Sequence, residues 1–371
     1  MTTDRLSIGY EFLPDHVAFT RMVIPYQPLD QAIKTLKARK GYIPVAIDPA
    51  GEGRIYWADL GEQPLREWQF LYSVNKAVNE TGIDPFFTDM QILNVEDVVT
   101  DSVPVRGLVF HISRCGSTLL GKCLAASPNY LVINQGGPLQ RGFWAWATND
   151  FKESLPTGKP YRDMFRRLVA AMARRRGQHY EAAFVKFISW NTLYLDFIRA
   201  AFPDVPAMFM YRDPIEVIAG VQAETTAALL AKGTEQARFL TKASPEKTAE
   251  MSDVQYLTRC YPGYFRSALA AKGMPYLNYS DLKRDHLRDI LRLGLELTPG
   301  YGRLMAMTKP FDVHSKDDTG QTTFKDDRAK KQGALAENDR RLIHQELGED
   351  YQKLEQSPFN LRLMIGQSLQ V

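Results

Sequence analysis

The segment GLVFHISRCGSTLLGKCLAASP, at residues 107–128, restricts the fold of this 371-residue chain more than any other. A continuous apolar stretch at 106–112 leads directly into residues 113–118, and an apolar helical period follows. A strand that turns straight into a helix directs several backbone N–H groups and the positive end of the helix dipole at one spot. The segment therefore predicts an anion site.

The side chains of this turn fit the same interpretation. The hydroxyls of Ser117 and Thr118 would add donors at the start of the helix, and Arg114 would bring a permanent positive charge. A standard ATP or GTP loop needs a lysine after its second glycine, whereas Ser117 follows Gly116 here. The simpler alternative is an ordinary strand-to-helix turn with a Ser/Thr cap.

Short buried strands alternate with longer helical periods after residue 104, which predicts an α/β fold with a central parallel sheet. Ser280 and Asp281 are the predicted N-caps of the helix at 280–297. The predicted strands are 106–112, 130–134, 182–187, 207–211 and 275–279. The predicted helices are 117–126, 160–176, 190–201, 213–230, 252–272, 280–297 and 336–347, with a long polar loop at 309–333.

The first hundred residues differ from the rest in being proline-punctuated and aromatic. Apolar stretches at 42–47 and 54–60 and a helical period at 64–78 predict a small α+β region. We therefore expect two parts, a small N-terminal region at 1–100 and one α/β domain at 101–371.

A second segment, MFMYRDPIEVIAG at 208–220, repeats the pattern of a buried strand followed by a helix. Arg212 would lie at the carboxyl end of the strand, where open parallel sheets bind ligands. A proline close behind it favours the start of a helix. The alternative for Arg212 is a surface ion pair with Asp213 or Glu216.

Together, SRCGSTLL and YRDPIEV resemble the nucleotide-binding motifs of sulfotransferases that use 3′-phosphoadenosine 5′-phosphosulfate (PAPS), especially bacterial members with an SRxGSTLL loop. The resemblance covers about residues 105–300 and, more loosely, 309–333. It implies a P-loop-like, three-layer α/β fold with a central parallel sheet. It also implies transfer of a sulfuryl group from PAPS to a hydroxyl of a small-molecule acceptor, by in-line displacement and without a metal.

The resemblance assigns the first segment to the 5′-phosphosulfate of PAPS. Arg114 takes the position where many relatives have a lysine that neutralises the departing oxygen. The residues implied to wrap this group are Arg114, Cys115, Gly116, Ser117 and Thr118.

The resemblance assigns the second segment to the 3′-phosphate. Arg212 would hold this phosphate, but the serine that relatives carry eight residues later is Gly220. A late charged segment is similar to the basic segment that closes over the nucleotide in relatives, and a solvated loop of mixed charge is its alternative. The basic residues of that segment are Lys325, Arg328, Lys330 and Lys331.

The catalytic residues are matched less completely. The resemblance makes Lys186 the residue that reaches the sulfuryl group, but the two familiar positions for a general base hold Gln135 and Ile188. His111 and His314 are the remaining candidates for the proton acceptor, although a lone histidine at a strand end is commonly structural. A non-catalytic nucleotide-binding protein is therefore an open alternative, and an ATP-dependent, kinase-like phosphotransferase is a more remote one.

Composition excludes several other classes. The formal net charge is only +3, so we expect no nucleic-acid partner. The chain has no run of about 18 apolar residues and no leader pattern, and its three cysteines form no disulfide framework, so we expect a cytoplasmic protein with no membrane partner. Its six histidines lack metal-ligand spacing. The sequence is compatible with a homo-oligomer.

The arginines at 166, 167 and 174–176 are predicted to lie on a solvated helix face.

Overall fold

The computed structural model describes residues 4–5, 23–81, 84–177, 179–313 and 331–368. Its N-terminal strands are antiparallel, with β1 (Asp4–Arg5) paired to β2 (Val23–Ile24). A three-stranded antiparallel sheet follows in the order β3-β4-β5, formed by β3 (Tyr42–Asp48), β4 (Arg54–Asp59) and β5 (Phe86–Asp89). The first two strands of this sheet correspond to the predicted apolar stretches.

A five-stranded parallel sheet comes next in the chain. Its strands are β6 (Val105–His111), β7 (Tyr130–Asn134), β8 (Ala182–Lys186), β9 (Ala207–Tyr211) and β10 (Tyr276–Asn278), in the order β10-β9-β6-β8-β7. All residues of the last four of these strands are buried, which explains their continuous apolar sequences. The predicted α/β class is confirmed, and each predicted strand is found within one residue at either end.

The α-helices of the described residues fall before, between and after these strands. Their bounds are α1 (Leu29–Ala38), α2 (Phe70–Thr81), α3 (Glu96–Val99), α4 (Ser117–Ala125), α5 (Phe143–Ala147), α6 (Lys159–Met172), α7 (Leu195–Ala201), α8 (Pro214–Ala223), α9 (Ala227–Leu230), α10 (Glu235–Thr241), α11 (Pro245–Glu250), α12 (Asp253–Ala270), α13 (Leu287–Leu295), α14 (Tyr301–Thr308), α15 (Glu337–Gln356) and α16 (Leu361–Ser368).

Several predicted helices differ from the structure in their extent. The helix predicted at 160–176 ends at Met172, and the one predicted at 336–347 continues to Gln356. Three others differ because the backbone changes conformation within the predicted range. The helix predicted at 213–230 is two helices, α8 and α9, because Glu224 has an extended backbone between them. The helix predicted at 190–201 starts with a 3-10 turn, Ser189–Tyr194, before α7. The helix predicted at 64–78 begins only at Phe70. In each case the apolar period continues across a change of backbone conformation.

The predicted N-caps Ser280 and Asp281 were wrong. Both residues belong to a 3-10 turn, in which the N–H of Ser280 donates to Oδ1 of Asn278 at 2.9 Å. The helix at this place, α13, begins only at Leu287. Asn278 thus caps the 3-10 turn, whereas α13 follows His286 and has no side-chain cap.

The internal contacts of the chain group it into two compact units. The first contains residues 1–106, 124–186 and 200–203, and the second contains 107–123, 187–199 and 204–371. The grouping of contacts is a different property from independent folding, so the division into an N-terminal region and a single α/β domain stays a prediction. The loop of the first motif and the β9–α8 motif both belong to the second unit.

Arg166 is exposed on α6 as predicted, but the prediction of a solvated face was wrong for Arg174 and Arg176. They follow the end of α6, and Arg174 is only 5% and Arg176 only 2% exposed. The Arg174 guanidinium donates to the carbonyls of Leu36 at 2.7 Å and Tyr42 at 3.1 Å. Arg176 donates to two carbonyls of the 61–63 turn in the same way. Both arginines therefore stabilise the N-terminal part of the first unit.

Candidate functional site

The loop between β6 and α4 combines two left-handed backbone conformations with the start of a helix. Arg114 has φ 58° and Gly116 has φ 80°. A Cβ atom on Gly116 would lie only 2.6 Å from the ring of Tyr279, so this position requires glycine for its backbone angle and for its space. Alternating right- and left-handed residues make concave sites for anions, and α4 adds its N-terminal N–H groups from Ser117 onward.

Buried side chains fix this loop in place. The thiol of Cys115 is fully buried and donates to the carbonyl oxygens of Ile112 at 2.9 Å and Met210 at 3.4 Å. The hydroxyls of Ser113 and Ser189 are hydrogen-bonded at 3.0 Å. Both contacts suit a thiol donor, so Cys115 anchors the loop to β6 and β9.

Arg212 connects the second motif to this loop. It follows the last residue of β9, and its Nη1 donates to the carbonyl oxygen of Arg114 at 3.4 Å. Its guanidinium carbon lies 4.2 Å from the centre of the Tyr279 ring, which is a cation–π contact. Both motif arginines thus meet within the second unit, and we call the group around them the arginine cluster. Its members are Arg114, Arg212, Glu216, Gly220, Glu224, Tyr279, Lys331 and Gln332.

The predicted alternative of an ion pair for Arg212 is also present, but the pair is buried rather than at the surface. Nε of Arg212 donates to Oε2 of Glu216 at 2.6 Å, and each side chain is only 5% exposed. The second oxygen of Glu216 accepts from Nε2 of Gln332 at 2.9 Å. Arg212 therefore brings a partly neutralised guanidinium to the arginine cluster, and Glu216 also holds the segment that begins at residue 331.

Two cationic side chains lie next to Gly220, the position for which the sequence resemblance implied a serine. A Cβ atom on Gly220 would lie 3.3 Å from Cε of Lys331 and 3.4 Å from Cβ of Arg114. Lys331 belongs to the predicted late basic segment, so at least this part of that segment reaches α8. A cation, instead of a hydroxyl, therefore occupies the neighbourhood of Gly220.

Arg114 itself is ion-paired in the arginine cluster. Its Nη1 donates to Oε2 of Glu224 at 2.7 Å, with 20% of the arginine side chain and 50% of the glutamate side chain exposed. A pair that water reaches in this way is held weakly. An anion that arrives at the loop can therefore replace the Glu224 carboxylate on Arg114.

Lys186 and Gln135 belong to the first unit, at the carboxyl ends of β8 and β7. Lys186 is 1% exposed, and its register partner in the neighbouring strand is Asn134. Gln135 has φ 53°, and its N–H donates to the carbonyl oxygen of Lys186 at 2.7 Å. Because register partners in a parallel sheet share a face, Lys186 and Asn134 lie on the same face of the sheet.

His111 ends β6 as a buried ring, 3% exposed. Its Nδ1 lies 2.6 Å from the carbonyl oxygen of Ile112. Because a carbonyl only accepts, Nδ1 carries a proton, and Nε2 of the neutral ring can accept one. The role of His111 as a general base stays a prediction. His314, Lys325, Arg328 and Lys330 lie outside the described residues.

Sequence reasoning missed three residues of the arginine cluster: Glu224, Tyr279 and Gln332. Tyr279 follows β10 directly, and its place after a strand end was the signal that could have found it. Glu224 lies one helical turn after Gly220, and its backbone N–H donates to the Gly220 carbonyl. This spacing of four residues was the sequence signal that could have placed Glu224 near Gly220. No such pattern marks Gln332, because its contact with Glu216 joins residues 116 positions apart.

No family model matches the chain, and no curated protein matches it. Among solved structures, the chain is similar to the crystal structure of sulfotransferase STF9 from Mycobacterium avium, with a TM-score of 0.42 and 12% sequence identity over 70% of this chain and 80% of that one.

Metal-binding clusters and membrane-spanning helices are both absent from the described part of the chain. No group of three or more His, Cys, Asp or Glu side chains there could hold a metal ion. None of the helices in the described ranges is both long and apolar enough to cross a membrane.

Proposed function

We propose that this protein is a sulfotransferase, which moves a sulfuryl group from PAPS to a hydroxyl of a small molecule. The observation that carries the proposal is the hydrogen bond from Arg212 to the carbonyl of Arg114, which joins two motifs 98 residues apart in the chain. Each motif alone has an ordinary structural explanation. An anion-binding turn and two motif arginines in one cluster, with Lys331 beside them, support a ligand with phosphate groups at both ends.

The loop residues fit the 5′-phosphosulfate end of such a ligand. Gly116 allows close approach of the backbone, and the first N–H groups of α4 supply donors together with the hydroxyls of Ser117 and Thr118. Arg114 would bind this end once its guanidinium leaves Glu224. The exchange costs little free energy, because half of the Glu224 side chain is already exposed to water.

Arg212 and Lys331 would hold the 3′-phosphate end. Glu216 is buried against Arg212, so the phosphate would face a guanidinium whose Nε is already occupied. The Lys331 ammonium would compensate for this neutralisation and for the hydroxyl that Gly220 lacks. Binding at this end would therefore depend on a lysine more than the family pattern implies.

Positioning and fixed cations would do most of the catalysis. In-line displacement at sulfur spreads charge over the peripheral and leaving oxygens, by analogy with phosphoryl transfer. Arg114 would neutralise the leaving oxygen, and Lys186 is the candidate for the sulfuryl oxygens. His111, whose Nε2 can accept a proton, is the candidate base for the acceptor hydroxyl.

A second candidate function is nucleotide binding without turnover. It is favoured by Gln135 and Ile188 at the positions where relatives carry a base. The internal carboxylates that already pair both motif arginines favour it as well. This candidate uses the same binding site and lacks only the transfer step.

Titration calorimetry with 3′-phosphoadenosine 5′-phosphate tests the shared binding site. We expect binding at micromolar nucleotide, weakened by Arg212→Ala in a sample whose folding is checked by circular dichroism. Arg238→Ala, which removes an arginine from an ion pair on α10, should leave the affinity unchanged. Absence of binding to the unaltered protein would overturn both candidates. Tighter, magnesium-dependent binding of ATP would favour a kinase-like enzyme instead.

Turnover separates the two candidates. A panel of hydroxyl compounds is incubated with PAPS, and sulfated products are sought by mass spectrometry. A product that disappears in Arg114→Ala, while the nucleotide still binds, supports the transferase. Tight nucleotide binding with no product from any acceptor favours the non-catalytic protein.

A further inference from the structure

The carboxyl end of β7 carries an amide side chain whose orientation is fixed and whose oxygen accepts no hydrogen bond within the described residues. Asn134 is 2% exposed, and its Nδ2 donates to the carbonyl oxygen of Glu67 at 3.2 Å. Because a carbonyl only accepts, the amide cannot be turned around without losing this bond. Its Oδ1 is buried and accepts no hydrogen bond from any residue the structure describes.

A second amide in the first unit also has a buried oxygen without a donor. Gln69 is 7% exposed, and its Nε2 donates to Oε1 of Gln135, the residue after Asn134, at 3.0 Å. Its own Oε1 is buried and, within the described part of the chain, has no donor. Each buried acceptor without a donor destabilises the fold through its lost hydration, so two of them in connected side chains need an explanation.

The residue that joins these amides is held in an unfavourable backbone conformation. Gln135 has φ 53°, in the left-handed region that side chains other than glycine rarely adopt. Its N–H donates to the carbonyl of Lys186 at 2.7 Å, and its own carbonyl accepts from Nε2 of Gln140 at 2.9 Å. Backbone strain that the surrounding hydrogen bonds maintain is found mainly at ligand sites.

We propose that Gln69, Asn134 and Gln135, here called the amide cluster, form a binding site for a neutral ligand with neighbouring hydroxyl groups. The hydroxyls would donate to Oδ1 of Asn134 and Oε1 of Gln69, which removes both unsatisfied acceptors. An ammonium donor is disfavoured, because the two acceptors are neutral amide oxygens in a buried setting, which does not compensate for the lost hydration of a cation.

The adjoining chain carries an apolar surface that suits a ring-shaped polyol. Trp68 lies between Glu67 and Gln69 in the sequence and packs against Tyr72, with ring centroids 5.0 Å apart. Both aromatic side chains are partly exposed. Ligand sites are commonly apolar with a few well-placed polar groups, and a sugar or cyclitol ring offers both an apolar face and hydroxyl donors.

The proposal for the amide cluster is based on contacts within the first unit, and ligand binding there does not require the proposed transfer reaction. Polyol binding is measured without nucleotide, and nucleotide binding is measured without polyol. The two proposals can therefore fail separately.

Saturation-transfer NMR with a panel of small rings tests the proposal on the full chain. The panel contains neutral monosaccharides and inositol, an amino sugar and a uronic acid. We expect the neutral rings to bind best. Gln69→Leu should weaken their binding at least tenfold, whereas Gln69→Glu should retain more of it, because it keeps acceptor oxygens and the Gln135 amide can turn to donate to one of them.

The matched control is Gln91→Leu, which removes an exposed amide of the same unit that accepts from Asn94. It should leave ring binding unchanged. Equal binding by unaltered protein and folded Gln69→Leu would overturn the proposal and leave ordered water as the donor to both oxygens. Failure of every ring to bind the unaltered protein, or preference for the amino sugar, would overturn it too, even if Gln69→Leu did not fold.

Discussion

The guanidinium of Arg114 is held by the carboxylate of Glu224, with Nη1 and Oε2 2.7 Å apart. This carboxylate therefore competes with any phosphate or sulfate group for the same arginine. Half of the Glu224 side chain is exposed, and the pair lies just past the end of α8. We expect Glu224 to lower the affinity of the loop for anions rather than to bind a ligand itself.

Glu224→Gln should consequently strengthen nucleotide binding. An exposed ion pair contributes roughly 0.2–1 kcal/mol, so its loss should tighten the binding of 3′-phosphoadenosine 5′-phosphate by about 1.4-fold to fivefold in calorimetry. Glu235→Gln is the control, since Glu235 forms an ion pair with Arg238 on α10. Weaker binding by Glu224→Gln alone would contradict the competition.

Arg212→Ala should destabilise the fold as well as the binding site. The substitution leaves Glu216 buried without its cation, and breaking a buried pair in this way costs about 3–5 kcal/mol. The loss should be visible as a lower free energy of unfolding in urea. The double variant Arg212→Ala/Glu216→Gln should recover part of it, because the glutamine carries no charge. Equal stability of the single variant and the unaltered protein would show that Glu216 finds another cation.

Two glycines of the site should respond differently to alanine. Gly116→Ala places a side chain at φ 80° and within 2.6 Å of the Tyr279 ring, so we expect a cost of about 1–3 kcal/mol and a loss of nucleotide binding of at least tenfold. Gly220→Ala meets the flexible stems of Lys331 and Arg114 at 3.3 and 3.4 Å. It should change stability by less than about 1 kcal/mol, because the better helix propensity of alanine offsets the tight contact.

Urea unfolding and calorimetry on both glycine variants check this difference. The second variant acts as the control for the first, since both glycines adjoin Arg114 or its loop. Comparable effects of the two substitutions would mean that the left-handed conformation at Gly116 is not what shapes the loop.

The sheet could be predicted closely because each of its strands is a continuous apolar run between polar turns. The strands at 130–134 and 207–211 agree with the structure to the residue. The predictions that failed depend on side-chain contacts that spacing does not show. Ser280 lies in a 3-10 turn capped by Asn278 instead of starting a helix, and Arg174 donates to carbonyls more than 130 positions earlier in the chain.

The same division applies to the candidate site. Arg212 and Glu216 are four residues apart, so their pairing could be predicted from spacing, although its burial could not. Arg114 was correctly identified as a loop residue, but its partner lies 110 positions away. The unsatisfied oxygen of Asn134 has no sequence signal at all, since it follows from the direction in which the amide meets the Glu67 carbonyl.

Asp213 provides a pH-dependent test of how α8 begins. Its Oδ1 accepts from the backbone N–H groups of Ile215 at 2.9 Å and Glu216 at 3.3 Å, which caps the helix. Burial nevertheless raises the pKa of this carboxyl above its ordinary value of 3.8, and the two backbone hydrogen bonds only partly oppose the rise. The native state therefore binds this proton more tightly than the unfolded state does.

It follows that Asp213 lowers stability as the pH rises from its unfolded pKa through its raised native pKa. Asp213→Asn keeps an accepting oxygen for the cap and cannot ionise, so its free energy of unfolding relative to the unaltered protein should increase across this interval and then level off. Urea unfolding between about pH 2 and about pH 7 measures the difference.

Asp163→Asn should give the opposite slope and serves as the control. Hydrogen bonds from Lys159 and Arg166 lower the pKa of the Asp163 carboxyl, so the charged form stabilises the native state, and this stabilisation is lost as the pH falls through the lowered pKa. Its replacement should therefore become less favourable, relative to the unaltered protein, as the pH rises toward the unfolded pKa. Parallel slopes for the two variants would mean that burial does not govern the ionisation of Asp213, and that its hydrogen bonds to the first turn of α8 outweigh the desolvation of the charge.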